Sequence, residues 1–245
     1  MAIYAIADLH LPGPFGAQKS MEVFESRWTG YLEKLERRWR AVVTSGDSVI
    51  IPGDISWAMR PDDAVRDLAF IDSLPGIKYL GKGNHDYWWC TLSKLKRLCS
   101  EKGFESLRFL YNNSYVIENT AVIGTRGWFP DESVQSSSVG ADWEKIANRE
   151  KIRLELSIKS LPLLPDGTPK LLFTHFPPVW RGYTCRGIMD TILSAGIRQV
   201  YYGHIHGVYS SEGDFEAEGV KFRMISADRL DFTPLRVFPE YMTNC

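Results

Sequence analysis

The sequence predicts an α/β fold, because short apolar runs alternate with amphipathic helical patterns along the first part of the chain. Three apolar runs have the length of buried strands, at residues 3–7, 48–51 and 77–80. Each run ends in a loop that contains glycine, proline or aspartate, and a helical pattern follows each loop. We therefore expect a strand and a helix to alternate three times.

Each helix of this part has its own signal. Apolar residues recur at spacings of three and four in the first helix, at Phe24, Trp28, Leu32, Leu35 and Trp39. Pro61, followed by two aspartates, begins a second helix that runs to about Ser73. The third helix carries leucine at 92, 95 and 98.

The second part of the chain adds further strands. Apolar runs around Phe109, Tyr115 and Val122 are separated by turn residues, which predicts adjacent antiparallel strands and hence a mixed sheet. A serine-rich loop at 130–140 precedes a long helix that ends before Pro162. Two more apolar runs end at residues 174 and 203, and the tail from Val220 alternates like strands.

Composition limits the possible functions. Apolar residues make up 44% of the 245 residues and charged residues 24%. This balance indicates a single globular domain that spans residues 1–245. The net charge is −1, and the basic cluster at 37–40 continues a helical pattern, so nucleic acid is not indicated. No membrane segment, secretory signal or paired cysteine motif is visible, so we expect a cytoplasmic protein. Its oligomeric state stays open.

All five histidines of the chain, and three oxygen donors, come directly after predicted strands. They are Asp8, His10, Asp54, Asn84, His85, His175, His204 and His206. In open α/β sheets the carboxyl ends of strands meet at one rim, where ligands bind. A mixture of imidazole and carboxylate suits Mn²⁺, Fe or Zn²⁺ better than a thiolate site would.

The spacing of these residues supports a metal site. Asp8 and His10, like His204 and His206, are alternate residues of an extended segment, so both side chains of a pair can reach one ion. Gly53, Gly83 and Gly203 precede the polar clusters and remove side chains where the backbone comes close. Leaving His85 aside, seven ligands exceed what one ion takes while leaving room for substrate, which favours two ions sharing a carboxylate.

These residues resemble a known family. The segments Asp8-x-His10, Gly53-Asp54, Gly83-Asn84-His85-Asp86, His175 and Gly203-His204-x-His206 are similar to the five ordered motifs of the calcineurin-like metallophosphoesterases. The resemblance spans most of the chain. It implies a pair of mixed sheets packed as a sandwich between helices, in four layers, and a metal-dependent hydrolase of phosphate esters.

The resemblance also implies individual roles. Asp8, His10 and His206 would hold one ion, and Asn84, His175 and His204 the other. Asp54 would bridge the two ions, and a water or hydroxide between them would be the nucleophile. His85 would contact the phosphate and protonate the leaving oxygen.

One departure concerns His85. Many members of the family carry an acidic residue three places after the bridging aspartate, whereas this chain has Trp57. Asp86, Asp62 and Asp63 are the candidates to orient His85 instead, and Asp86 is preferred. The chain also lacks the Asp-Arg-Gly sequence of the protein serine/threonine phosphatases, which disfavours phosphoprotein substrates.

The substrate is predicted only as a class. A small phosphate ester, mono- or diester, is expected, and Arg126 is the favoured arginine, ahead of Arg181 and Arg186, to bind a second phosphate. The loop at 129–140 is a candidate lid. Two alternatives stay open, namely a nuclease with the same metal centre and a protein-binding scaffold that has lost catalysis.

Overall fold

The computed structural model describes residues 1–14, 21–23, 25–128 and 143–240. The helices in these ranges are α1 (Tyr31–Val42), α2 (Val65–Ser73), α3 (Leu92–Lys102), α4 (Trp143–Lys159) and α5 (Arg186–Ser194). The strands are β1 (Ile3–Ala5), β2 (Ser48–Ile51), β3 (Ile77–Leu80), β4 (Leu107–Phe109), β5 (Asn113–Ile117), β6 (Thr120–Thr125), β7 (Lys170–Thr174), β8 (Val179–Trp180), β9 (Tyr183–Thr184), β10 (Gln199–Tyr202), β11 (Asp214–Ala217), β12 (Val220–Met224) and β13 (Leu235–Val237).

Two large mixed sheets form the centre of the fold. The first has the strand order β13-β1-β2-β3-β4, in which β13 alone is antiparallel to its neighbour. The second has the order β11-β12-β10-β7-β6-β5, with antiparallel pairs only at its two edges. The predicted mixed sheets are therefore confirmed.

Alternation of apolar side chains places each sheet between two layers. Val49 and Ile51 of β2 pack against buried residues of α1, α2 and α3, whereas Ile50 between them packs with Phe173 and Tyr201 of the second sheet. On its other face the second sheet packs against α4 and α5. The four layers are helices, sheet, sheet and helices, as the resemblance implied.

Two predicted elements are wrong in detail. The first helix begins at Tyr31, and Trp28 lies instead in a short 3₁₀ turn, Ser26–Trp28, because the left-handed Gly30 (φ 61°) interrupts the helical pattern. Strand β4 pairs in parallel with β3 in the first sheet and is not beside β5. The chain changes sheets between Leu110, bonded to Leu80, and Asn112, bonded to Gly124.

Some elements of the structure were not expected from the sequence, and some expected features lie outside the described residues. Helix α5, the small hairpin β8–β9 and the edge strand β11 were not predicted. Phe24 of the predicted first helix, and the loop at 129–140 proposed as a lid, lie outside the described residues.

Candidate metal centre

The candidate ligands lie at one rim, where parallel strands of both sheets end. In the first sheet, β1 leads to Asp8 and His10, β2 leads to Asp54, and β3 leads to Asn84. Strands β7 and β10 of the second sheet lead to His175, and to His204 and His206. The structure brings all seven candidate ligands together in two groups around Asp54.

The first group consists of Asp8, His10 and His206. One ligand atom from each lies within 4.8 Å of those of the other two. The Nε2 atoms of His10 and His206 are 3.1 Å apart. Asp8 and His10 are buried, and His206 is partly exposed.

The second group consists of Asp54, His175 and His204, again with ligand atoms within 4.8 Å of one another. Asn84 joins them, because its Oδ1 lies 2.6 Å from Nε2 of His175. The family resemblance implied the same residues for a second ion, with Asp54 as the shared ligand.

Asp54 lies between the groups. Its Oδ2 is 3.7 Å from Nε2 of His10, and its Oδ1 is 3.6 Å from Nε2 of His175. Each carboxylate oxygen thus faces a different group, which is the geometry that a bridging ligand requires.

The backbone at the rim is strained at four of the seven ligands. Asp8, His10, Asp54 and His204 have φ between 44° and 70°, in the left-handed region. Such residues cost roughly 1–3 kcal/mol each and persist where the surrounding structure holds them, often at functional sites. Here the turns follow the ends of strands, and the side chains at these positions belong to the two ligand groups at the rim.

Two glycines permit the close approach of these loops. A Cβ added to Gly83 would lie 2.0 Å from Oδ1 of Asp54, and one added to Gly203 would lie 2.6 Å from Oδ2 of Asp8. Because these distances are far below van der Waals contact, any side chain at either position would displace a candidate ligand.

The donor set fits divalent cations. Among the described residues, Oδ1 of the buried Asp8 makes only a long contact of 3.4 Å, to Nδ1 of His175, although poorly paired buried polar atoms are costly. Burial raises the pKa of Asp54. The charge of His175 lowers this pKa, whereas the charges of Asp86 and Asp8 raise it. Cations bound between the Nε2 atoms and the carboxylates of these groups would relieve the repulsion between the carboxylates.

Asp86 does not contact the His85 ring through the hydrogen bonds of its carboxylate, which instead connect two loops of the site. Its buried carboxylate accepts hydrogen bonds from the backbone amides of Ile55, Ser56 and Gly83 and from Nε1 of Trp88. It therefore joins the Asp54 loop to the loop that carries Asn84. Asp62 and Asp63 lie in a 3₁₀ turn before α2, and only Asp63 is partly buried.

Aromatic rings surround His85 and His10. The indole of Trp57 stacks on His10, with centroids 5.0 Å apart and planes at 24°, and lies 4.5 Å from the His85 ring. Nε2 of His85 is 4.0 Å from Oδ2 of Asp54. At the position where many family members have an acidic residue, this chain therefore holds His85 by a ring contact.

Asp228 also belongs to the site, although its role was not predicted from the sequence. This fully buried carboxylate lies 3.1 Å from Nδ1 of His206, and its other oxygen accepts a hydrogen bond from the amide of Gly207. Although burial acts in the opposite direction, this contact and the charge of Asp8 raise the pKa of His206 to about 9. A carboxylate on the remote nitrogen of a ligand histidine fixes its ring and tautomer. The available signal was its position shortly after β12, at the same rim.

Arg126 lies beside the second group. Its carbonyl accepts hydrogen bonds from the amides of His175 and Phe176, and its guanidinium contacts the buried carboxylate of Glu150 at 3.2 Å. Burial lowers the pKa of Lys82, and the nearby charge of Arg126 lowers it further. Arg181 and Arg186 instead form exposed ion pairs with Glu212, Asp190 and Glu218.

No helix in the described ranges combines the length and apolarity needed to cross a bilayer.

Comparison with known proteins agrees with this architecture. Among curated proteins, none matches the sequence significantly. A phosphopantetheinyl hydrolase from Mycobacterium tuberculosis has a similar fold, with a TM-score of 0.58 and 14% identity over 99% of this chain and 98% of that one. A protein of unknown function from Aquifex aeolicus gives a TM-score of 0.51 and 14% identity over 96% and 95%.

These structural likenesses show the fold. The family is shown by the sequence itself, because residues 1–208 match the model of the calcineurin-like phosphoesterases. With both sheets, both ligand groups and this match in agreement, the chain belongs to the calcineurin-like phosphoesterase family.

Proposed function

We propose that this protein is a binuclear metal-dependent hydrolase of a small phosphate ester and acts in the cytoplasm. The observation that carries the proposal is the position of Asp54, whose two carboxylate oxygens face the two ligand groups. Family membership implies a metal-dependent phosphoesterase, and the paired groups extend that inference to two ions.

Each residue has a proposed task. Asp8, His10 and His206 would hold one ion, Asn84, His175 and His204 would hold the other, and Asp54 would be shared by both. Two ions that share Asp54 would supply an acidified water molecule and neutralise charge on the phosphate oxygens. We expect Mn²⁺, Fe or Zn²⁺, which suit a mixture of imidazole, carboxylate and amide donors.

His85 is the proposed proton donor to the leaving oxygen. Burial, together with the charge of His175, lowers the pKa of His85 to about 4, so its imidazole is neutral at pH 7 in the metal-free protein. A bound phosphate dianion would favour the protonated form. The side chain is about one-third exposed, at 35%, so a substrate can reach it.

The test measures hydrolysis and metal content on the same samples. Protein loaded with Mn²⁺ is assayed on bis(p-nitrophenyl) phosphate and on p-nitrophenyl phosphate, before and after chelation. Turnover that disappears with the ions and returns on reloading supports the proposal, and the ratio of the two rates shows whether diesters or monoesters are preferred. Two bound ions without turnover of any ester in a broad panel would contradict it.

A further inference from the structure

A cluster of cationic side chains borders the second ligand group. We call Arg126, Arg149 and Arg153, together with Lys82, the cationic cluster. The three guanidinium groups lie 3.2, 3.7 and 2.6 Å from Oε1 of Glu150, whose side chain is completely buried. Within the part of the chain that the structure describes, three guanidinium groups thus share the carboxylate of Glu150, an excess of positive charge.

Two arginines of the cluster, Arg126 and Arg153, are held in place by aromatic rings. The guanidinium carbon of Arg126 lies 5.7 Å from the ring centre of Trp128 and 5.6 Å from that of Phe176. That of Arg153 lies 6.0 Å from the ring of Tyr111. Cation–π contacts and the shared carboxylate restrict both side chains, so little conformational entropy is lost when an anion binds.

Donors remain for a further anion. Arg126 contacts Glu150 through Nη2, and its buried Nε has no hydrogen-bond partner among residues 1–14, 21–23, 25–128 and 143–240. Arg153 contacts the same oxygen through Nη1. Since a guanidinium has five N–H donors in a planar fork, each arginine can bind phosphate oxygens while it keeps Glu150.

The backbone joins the cluster to the ligand rim. The carbonyl of Arg126 accepts from the amide of His175, a candidate ligand, and Lys82 lies two residues before Asn84. Glu150 and Arg153 project from α4, which packs on β6. The cluster therefore lies on the side of the second group, and the aromatic residues around His10 lie on the side of the first.

We propose that the cationic cluster is a second anion site, and that the substrate is an ester carrying a second phosphate group apart from the one that is hydrolysed. The inference rests on the proposed function for the reacting phosphate and adds the class of substrate. An excess of fixed positive charge is costly where cations repel, and a phosphate dianion offsets it.

The test compares anions with one and two phosphonate groups, which cannot be hydrolysed. Metal-loaded protein is titrated calorimetrically with propylphosphonate and with alkane-α,ω-diyl bisphosphonates of increasing spacer length. We expect the best bisphosphonate to bind about tenfold more tightly than the monophosphonate, or better, which is the effect of one additional charge-assisted interaction. The ratio of the two affinities is the quantity compared among variants.

Three variants locate the effect. Lys82→Met and Arg153→Met are expected to bring the ratio of affinities toward one. Lys151→Met is the control, because Lys151 lies on the same helix but pairs with Glu155 in an exposed ion pair. Thermal unfolding of each variant shows whether it folds, and Lys82→Met keeps the test valid if loss of Arg153 destabilises the buried Glu150.

The outcomes separate the two proposals. A ratio near one for every spacer, or an unchanged ratio in both cluster variants, would overturn the second anion site even if aryl phosphates are hydrolysed. A ratio that falls in both variants supports the site. If the ratio of affinities falls in both variants while no ester is hydrolysed, the second anion site is supported and the hydrolase proposal is contradicted.

Discussion

The two ligand groups differ in what surrounds them. In the first, His206 is held by Asp228, and the ring of His10 is stacked on Trp57 and lies near Trp28. In the second, His175 and His204 contact Phe176, and the cationic cluster lies alongside. We infer that the first group is built to hold its ion in a fixed geometry, whereas the second combines ion binding with charge recognition of the substrate.

The largest effect is expected from Asp54→Ala, because this change should affect both ligand groups equally. Because Asp54 faces both, its loss should reduce occupancy of both ions and take turnover below detection. Metal stoichiometry and the hydrolysis of bis(p-nitrophenyl) phosphate measure the two effects. Asp62→Ala, which removes an exposed carboxylate, is the control. Retention of two tightly bound ions would refute the bridging role.

His85→Ala should separate chemistry from metal binding. We expect both ions to stay bound while turnover falls roughly 10²–10⁴-fold on an alkyl ester, whose leaving group needs a proton. The loss should be smaller on a p-nitrophenyl ester, since that leaving group is stable as an anion. Tyr87→Phe, a change on an exposed neighbouring ring, serves as control. Equal losses on the two esters would rule out proton donation.

Asp228→Asn sharpens the comparison because only the first group has this carboxylate. Affinity for the ion of that group should weaken by about 10–100-fold, while the second ion is retained. Metal titration monitored by calorimetry resolves the two events. Asp231→Asn is a matched control three residues along the chain, where the carboxylate pairs with Arg38 and is partly exposed. Equal weakening of both ions would show that Asp228 does not act on one group.

The smallest effect is expected at Trp57. Trp57→Phe keeps a ring against His85 and His10, whereas Trp57→Leu loses it. An aromatic pair contributes about 0.5–1.5 kcal/mol, so the leucine variant should be roughly two- to tenfold slower than the phenylalanine variant. Identical rates for the two variants would mean that the ring does not position His85.

The positions of the candidate ligands could be predicted because they depend on local sequence. Strands β2 and β3 have the bounds that their apolar runs predict, and each ends at a glycine-containing turn that leads to Asp54 or Asn84. Hydrophobic runs and turn residues act over a few positions, so a single sequence contains them. The rim of ligands followed from the ends of these strands.

Contacts between distant segments could not be predicted in the same way. Asp228 meets His206 across 22 positions of sequence, and this contact depends on β12 lying beside β10. Likewise, β4 has the apolar pattern of its neighbours along the chain, yet it joins the other sheet because of a turn near Asn112. Pairing of strands is a tertiary choice, which local propensity does not determine.

The left-handed turns at Asp8, His10, Asp54 and His204 have a consequence for protein design. Copying these side chains onto the ends of strands in another sheet would point them along regular strand directions, away from a shared centre. A transplanted site would need the turns as well, including the glycines that let the loops touch. In mutant libraries, the variants that keep the backbone at these positions should be enriched in asparagine, aspartate and glycine, the residues that adopt this conformation most readily.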